Sequence, residues 1–88
     1  MPHPSPTGEP TFDLHGLRVD DAVRRTIAFL LREQALGTVS VRIVTGHGTG
    51  ALRDAVRAML QRHPAVLSSR PALGTDAATL VVLRPPRR

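Results

Sequence analysis

The stretch Val39–Thr45, VSVRIVT, constrains the fold of this chain more than any other segment. It is rich in β-branched residues and apolar on both faces, which is typical of a strand in the middle of a sheet. A loop rich in glycine follows it, and apolar residues at helical spacing begin directly behind that loop. A buried strand that leads into an amphipathic helix is a building step of α/β sheets. The segment therefore predicts an α/β fold.

The other apolar patterns predict the element order βαβαββ. The predicted strands cover residues 11–15, 39–45, 65–70 and 78–84, and the predicted helices cover residues 19–36 and 50–63. The second helix is expected to end before Pro64, because proline does not continue a helix. We expect the first two strands to be parallel, since a helix connects them. The predicted fold class is a two-layer α/β sandwich, with two helices on one face of a four-stranded mixed sheet.

The composition excludes several classes of protein. The 88 residues contain no cysteine, so that neither a disulfide framework nor a thiolate zinc site can form. No apolar stretch approaches the ~20 residues that a membrane span requires. The first residues, MPHPSPTGEP, lack the basic and apolar regions of a signal peptide. We therefore expect a cytoplasmic protein without a membrane partner.

The charge of the chain points to an anionic polymer as its partner. There are twelve basic residues against seven acidic ones, a formal net charge of +5, and every basic residue is an arginine. A guanidinium group binds phosphate in a bidentate manner, which suits a nucleic-acid backbone. Phe12 and Phe29 are the two aromatic residues, too few for a base-stacking platform. The predicted partner is DNA or RNA, and no small-molecule cofactor is expected.

Two histidines are expected to meet at one edge of the sheet. His15 ends the first predicted strand, and His47 lies in the loop behind the second. The carboxyl ends of parallel strands share an edge, where α/β sheets bind their ligands. Asp13 lies two residues before His15, on the same predicted strand face. We expect Asp13, His15 and His47 to be catalytic, because an imidazole can move a proton near neutral pH.

The loop around His47 is predicted to bind phosphate. Glycines permit positive φ angles, so that backbone N–H groups can point at an anion, and the following helix begins with partly positive amides. Two arginines lie one turn apart on that helix. The residues predicted to bind phosphate are Gly46, Gly48, Thr49, Gly50, Arg53 and Arg57.

Other interpretations of these residues stay open at this stage. Glycine loops of this spacing also occur as plain turns between a strand and a helix. Separately, Asp13 can simply cap a turn, and His15 can simply end a strand. Alternatively, Asp13, His15 and His47 bind a divalent metal ion. A nuclease ion such as Mg²⁺ prefers more oxygen ligands than this set supplies. Arg18 and the other arginines of the first helix are interpreted as a solvated face.

Two motifs resemble those of a known family. FDLHG, residues 12–16, precedes the first helix, and HGTG, residues 47–50, follows the second strand. In this order they resemble the Smr domain, the small MutS-related domain, whose hallmarks are LDLHG and HGxG. The likeness covers residues 11–83. Residues 1–10 are predicted to be a disordered proline-rich lead-in and residues 84–88 a basic tail.

The chain departs from the family pattern at three places. Phe12 replaces the usual leucine, which should be harmless on an apolar face. Arg18 takes the place of the common threonine or serine cap, so that the first helix is expected to start less firmly. The turn before the last strand, PALGTDA, is poorer in glycine than its family counterpart. If that counterpart contacts nucleic acid, we expect a smaller contribution from the turn of this chain.

The resemblance implies a function. Family members are DNA or RNA endonucleases, often nicking enzymes, with an α/β sandwich similar to the C-terminal domain of translation initiation factor three. Such domains commonly form the C-terminal part of a larger bacterial MutS paralogue linked to the control of recombination, and others stand alone. The leading hypothesis is an endonuclease domain in DNA repair or recombination. The alternative is a non-catalytic module that targets DNA or RNA.

Overall fold

Two helices pack on one face of a five-stranded sheet in the computed structural model, which describes residues 3–4, 8–48 and 50–86. The strands are β1 (His3–Pro4), β2 (Pro10–Asp13), β3 (Ser40–Val44), β4 (Val66–Pro71) and β5 (Ala78–Leu83), and the helices are α1 (Val19–Ala35) and α2 (Ala51–Arg62). The strand order is β1-β2-β3-β5-β4. Only β2 and β3 are parallel within the described part of the chain, as a helical connection requires.

The predicted sandwich is confirmed. Its four strands and two helices have the predicted order, and each begins and ends within two residues of the predicted position. Residues Val41 and Ile43 of β3 are buried under the helices, whereas their neighbours Ser40 and Arg42 are half-buried on the other face of the sheet. Apolar patterns of period two and 3.6 therefore located the elements correctly.

At both ends of the chain, residues predicted to lie outside the folded domain form hydrogen bonds with it. His3–Pro4, in the segment predicted to be a disordered lead-in, pairs with β2 in the register His3↔Thr11. Without them β2 would present open backbone groups at the edge of the sheet, and a short pairing segment covers that edge. The backbone N–H of Arg84 donates to the carbonyl of Ala65 at 2.9 Å, and this part of the predicted tail contacts the domain. Residues 1–2, 5–7 and 87–88 lie outside the described residues.

The core lies between the sheet and the two helices. Its largest fully buried side chains include Leu14, Leu30, Ile43 and Leu60, which come from the turn after β2, from α1, from β3 and from α2. Burial of such a side chain contributes about 1.5–3 kcal/mol. No helix among the described residues is long and apolar enough to cross a membrane.

The sheet brings two loops together at one edge. Asp13 of β2 is in register with Val44 of β3, and the Leu14 N–H donates to the Val44 carbonyl at 2.7 Å. Both strands end at this level, and the chain leaves them as the turn before α1 and the loop before α2. The parallel pairing thereby positions residues that are far apart in the sequence.

Candidate active site

The turn behind β2 fixes one imidazole. The backbone N–H of His15 donates to Asp13 Oδ1 at 3.0 Å, and His15 Nδ1 lies 2.8 Å from the same oxygen. An ionised carboxylate only accepts hydrogen bonds, so Nδ1 carries the proton of the neutral ring, and Nε2 of that tautomer holds the lone pair. The His15 side chain is 73% exposed. This dyad therefore presents Nε2 as a proton acceptor to solvent.

The loop that carries His47 is anchored at its base. The carbonyl of Ala77 accepts hydrogen bonds from Thr45 N at 2.7 Å, Gly46 N at 3.0 Å and Thr45 Oγ1 at 3.2 Å. Thr45 is buried, whereas His47 is exposed. Within the described residues no hydrogen bond is formed by the His47 ring, so that its position is set by the backbone.

Gly46 allows the two loops to touch. Its φ angle is +81°, and a Cβ atom at this position would lie 3.2 Å from the Cβ of His15. Of the three glycines of this loop, Gly46 and Gly50 have positive φ angles, whereas Gly48 does not. Because the Gly46 N–H donates to Ala77, it is not available to an anion. Thr49, a predicted phosphate contact, lies outside the described residues.

His15 and His47 line the same cleft. It has a volume of about 480 Å³ and is bounded by residues 15–19, 45–48 and 50–53, with the amino ends of both helices at its walls. Gly50 is the N-cap of α2 and has no side chain to accept from the first helical turn. The first turn of α2, including Arg53, thus lines a space that two imidazoles also line.

The two arginines predicted to bind phosphate have different surroundings. Arg53 lines the cleft, with Nε 3.3 Å from Asp54 Oδ1 and Nη1 3.7 Å from Asp76 Oδ2. Arg57 is not among the described residues that line the cleft. Its Nε donates to Thr79 Oγ1 at 3.0 Å and its Nη2 to the Asp76 carbonyl at 3.3 Å, so that it connects α2 to β5 and the turn before it.

Sequence reasoning missed Arg18 and Asp76. Arg18 is exposed, as expected, but it lines the cleft as the N-cap residue of α1 and makes no side-chain capping bond. Its place three residues after His15 was the available signal. Asp76 pairs with arginines of α2, and no spacing in the sequence indicates such a pair.

His63 accepts a hydrogen bond from Ala65 N at 3.1 Å, a local structural role.

The residues that the structure describes contain no ligand cluster of the kind that the metal-binding alternative requires. No three histidine, aspartate or glutamate side chains lie close enough together there to bind one metal ion. Asp13 Oδ1 and His15 Nδ1 bond to each other rather than facing a common centre. Asp13, His15 and His47 are therefore not a preformed metal site.

The comparison with protein families decides the family of the chain. Residues 12–84 match the family model of the Smr domain. The chain belongs to the Smr domain family. The resemblance in the FDLHG and HGTG motifs is thereby confirmed, and the cleft of this Smr domain lies where the two motifs meet.

The related sequences belong to much longer proteins. One is 44% identical over 63 residues, 72% of this chain and 8% of the relative, and is named endonuclease MutS2 of Thermomicrobium roseum. Another, endonuclease MutS2 of Thermus thermophilus, is 41% identical over 76 residues, 83% of this chain and 10% of the relative. The Smr domain described here thus spans about a tenth of the length of the curated relatives that it matches.

Solved structures show the same fold. The crystal structure of the Smr domain of Thermus thermophilus MutS2 superposes with a TM-score of 0.83 at 40% identity and covers 85% of this chain and 98% of that one. YdaL, a stand-alone small MutS-related protein from Escherichia coli, has a TM-score of 0.69 at 23% identity, covering 84% of this chain and 63% of that one. The second likeness concerns the fold alone.

Proposed function

We propose that this Smr domain binds nucleic acid in the cleft and cleaves phosphodiester bonds there, as an endonuclease domain. The observation that carries the proposal is the bond between Asp13 Oδ1 and His15 Nδ1 at 2.8 Å, on the wall of a cleft that His47 also lines. An aspartate that orients an imidazole and fixes its tautomer prepares the other ring nitrogen for general base catalysis.

His15 is the proposed general base. Its Nε2 takes the proton from the attacking hydroxyl, either water or the 2′-hydroxyl of RNA, as the new P–O bond forms. The Asp13 carboxylate stabilises the imidazolium that results. His47, on the other loop of the cleft, gives a proton to the leaving oxygen as the old P–O bond breaks.

Phosphate binding is assigned to the amino end of α2. Gly50 supplies no capping side chain, and the helix dipole favours an anion at the amides behind it. Gly48, Gly50 and Arg53 line the cleft at this point, and Arg18 lines it at the amino end of α1. Preorganised donors of this kind stabilise the charge that develops on the phosphoryl oxygens. Thr49 stays a predicted contact, and Gly46 and Arg57 are assigned to support of the site.

Charge and relatives support the same proposal. A formal net charge of +5 attracts a polyanion, and the basic residues are arginines that match phosphate in geometry. The curated relatives carry the name endonuclease MutS2, and this chain matches about a tenth of their length. We therefore propose the nuclease activity for the domain itself, as part of a MutS-like chain or by itself. A role in DNA repair and a cytoplasmic location stay predictions.

The test is a cleavage assay on the purified chain with two substrates, a supercoiled plasmid and a structured RNA, each with and without chelator. The proposal expects nicked plasmid or shortened RNA, and gel-shift binding to the same nucleic acid. Binding without any cleavage of either substrate would instead support the non-catalytic targeting module. Cleavage that chelator abolishes would show that the reaction needs a divalent metal ion.

A further inference from the structure

The turn between β4 and β5, residues 72–77, contacts both the histidine loop and the arginine of the cleft. The Ala77 carbonyl anchors Thr45 and Gly46, at the start of the histidine loop. The Asp76 carboxylate lies 3.7 Å from Arg53. The turn itself is fixed by bonds from Thr75 N to the Ala72 carbonyl at 3.2 Å and from Ala77 N to Thr75 Oγ1 at 2.9 Å.

Arg57 fixes Asp76 from one side. It donates to the hydroxyl of Thr79, which is buried in β5, and to the backbone carbonyl of Asp76. Its Nη1 lies 3.8 Å from Asp76 Oδ1, and the other carboxylate oxygen, Oδ2, is the one that faces Arg53. Side chain and backbone of Asp76 are therefore both tied to Arg57.

Asp76 contacts the Arg53 guanidinium at Nη1, whereas Nε donates to Asp54. At 3.7 Å the approach of Nη1 to Asp76 is an ion pair and longer than a hydrogen bond. Asp54 Oδ1 lies 3.3 Å from Nε, and Nη2 lies 2.9 Å from the position that a Cβ atom on Gly50 would take. Nη1 therefore faces Asp76, and Nη2 lies beside Gly50, which lines the cleft together with Arg53.

We propose that Asp76 is a positioning residue that aims the Arg53 guanidinium at the phosphate in the cleft, an inference that rests on the proposed function. Asp76 has two effects of opposite sign on the reaction. Its negative charge weakens the general attraction for a polyanion. Its contact with Arg53 fixes a group that must meet the charge developing in the transition state. Removal of the carboxylate should therefore act in opposite directions on binding affinity and on the rate of cleavage.

The experiment compares Asp76→Asn with Asp20→Asn, which removes the same charge from an exposed site in the first turn of α1. Both variants should bind a labelled oligonucleotide at least as tightly as the parent. Only Asp76→Asn should cleave more slowly, by about tenfold, as expected for loss of orientation at a reacting group. A parental cleavage rate in Asp76→Asn would overturn the proposal.

A double-mutant cycle shows whether the effect passes through Arg53. In a chain that already carries Arg53→Ala, adding Asp76→Asn should change the cleavage rate by less than about twofold. A full additional loss in that background would mean that Asp76 acts through the turn and the histidine loop, which would overturn its assignment to Arg53.

A measurement without substrate separates this inference from the proposed function. The ¹⁵N order parameter of Arg53 Nε–H should fall in Asp76→Asn and stay at the parental value in Asp20→Asn, whether or not the chain cleaves nucleic acid. An unchanged order parameter in Asp76→Asn would refute the positioning role even if the cleavage assay succeeds. Absence of cleavage by the parent chain would refute the proposed function alone.

Discussion

The turn that carries His15 and the loop that carries His47 leave neighbouring parallel strands and line one cleft, but they control their histidines differently. Asp13 bonds both the backbone and the ring of His15. The loop of His47 is bonded at Thr45 and Gly46, and among the described residues its ring receives no such bond. One ring is thus fixed in tautomer and orientation, whereas the other depends on its backbone.

This difference indicates that the two histidines have different roles in the reaction. A general base must hold its lone pair ready before the substrate arrives, and the Asp13 carboxylate does this for His15. A group that contacts the phosphate or the leaving oxygen can take its final orientation from the substrate. The roles proposed for His15 and His47 follow from this comparison, and it is tested by two substitutions in these segments and one in the helix behind the loop.

The largest of these effects is expected for Gly46→Ala, where the two segments touch. A methyl group there would lie 3.2 Å from His15 Cβ and would also be strained by the φ angle of +81°. The backbone strain should lower the free energy of unfolding, measured by urea denaturation, by about 1–3 kcal/mol. Displacement of His15 should reduce the rate of cleavage by about 10²-fold.

Gly37→Ala is the matched control for that substitution. Gly37 follows the carboxyl end of α1 with a φ angle of +78°, and a Cβ there would meet no atom within 4 Å. The Gly37→Ala variant should show a similar decrease in the free energy of unfolding and keep the parental cleavage rate. Equal cleavage rates in the two folded variants would show that the contact between the loops has no bearing on His15.

A smaller effect is expected for Asp13→Asn. The amide oxygen can still accept the backbone N–H of His15, but it carries no charge to stabilise an imidazolium. Because the His15 and Asp13 side chains are 73% and 40% exposed, water replaces part of that stabilisation. The single-turnover rate should fall by about tenfold, less than for a buried dyad. A parental rate would show that Asp13 only shapes the turn.

The smallest effect is expected in binding, for Arg53→Ala. Loss of one phosphate contact should reduce the slope of log affinity against log salt by about 0.7 to 1. Arg24, on the exposed side of α1 and paired with Asp21, is the control. Titrations at several salt concentrations should show a larger change for Arg53→Ala than for Arg24→Ala. Equal slopes would show that the basic charge acts diffusely and that the amino end of α2 has no special role.

The fold was predictable because periodicity reports burial directly. Val41 and Ile43 alternate with half-buried neighbours in β3, and parallel pairing then brings His15 and His47 to one edge. The pairing of His3–Pro4 was missed because a proline-rich segment carries no apolar pattern.

The side-chain partners within the site were only partly predictable. Asp13 and His15 are close in the sequence, so a strand-face argument sufficed for them. The separation of Arg53 from Arg57, and the use of the Gly46 N–H by Ala77, depend on the turn at residues 72–77. The conformation of such a turn follows from local hydrogen bonds that spacing alone does not encode.

The most direct test of catalysis by the two histidines is single-turnover cleavage by His15→Ala, His47→Ala and the double variant, with binding and circular dichroism measured on the same samples. Each single variant should fold, lose about 0.5–1.5 kcal/mol of binding at most, and cleave about 10²–10⁴-fold more slowly. Because base and acid act on one step, the double variant should be little slower than the worse single variant. Cleavage at the parental rate by either folded single variant would contradict the account and would leave the cleft as a phosphate-binding site.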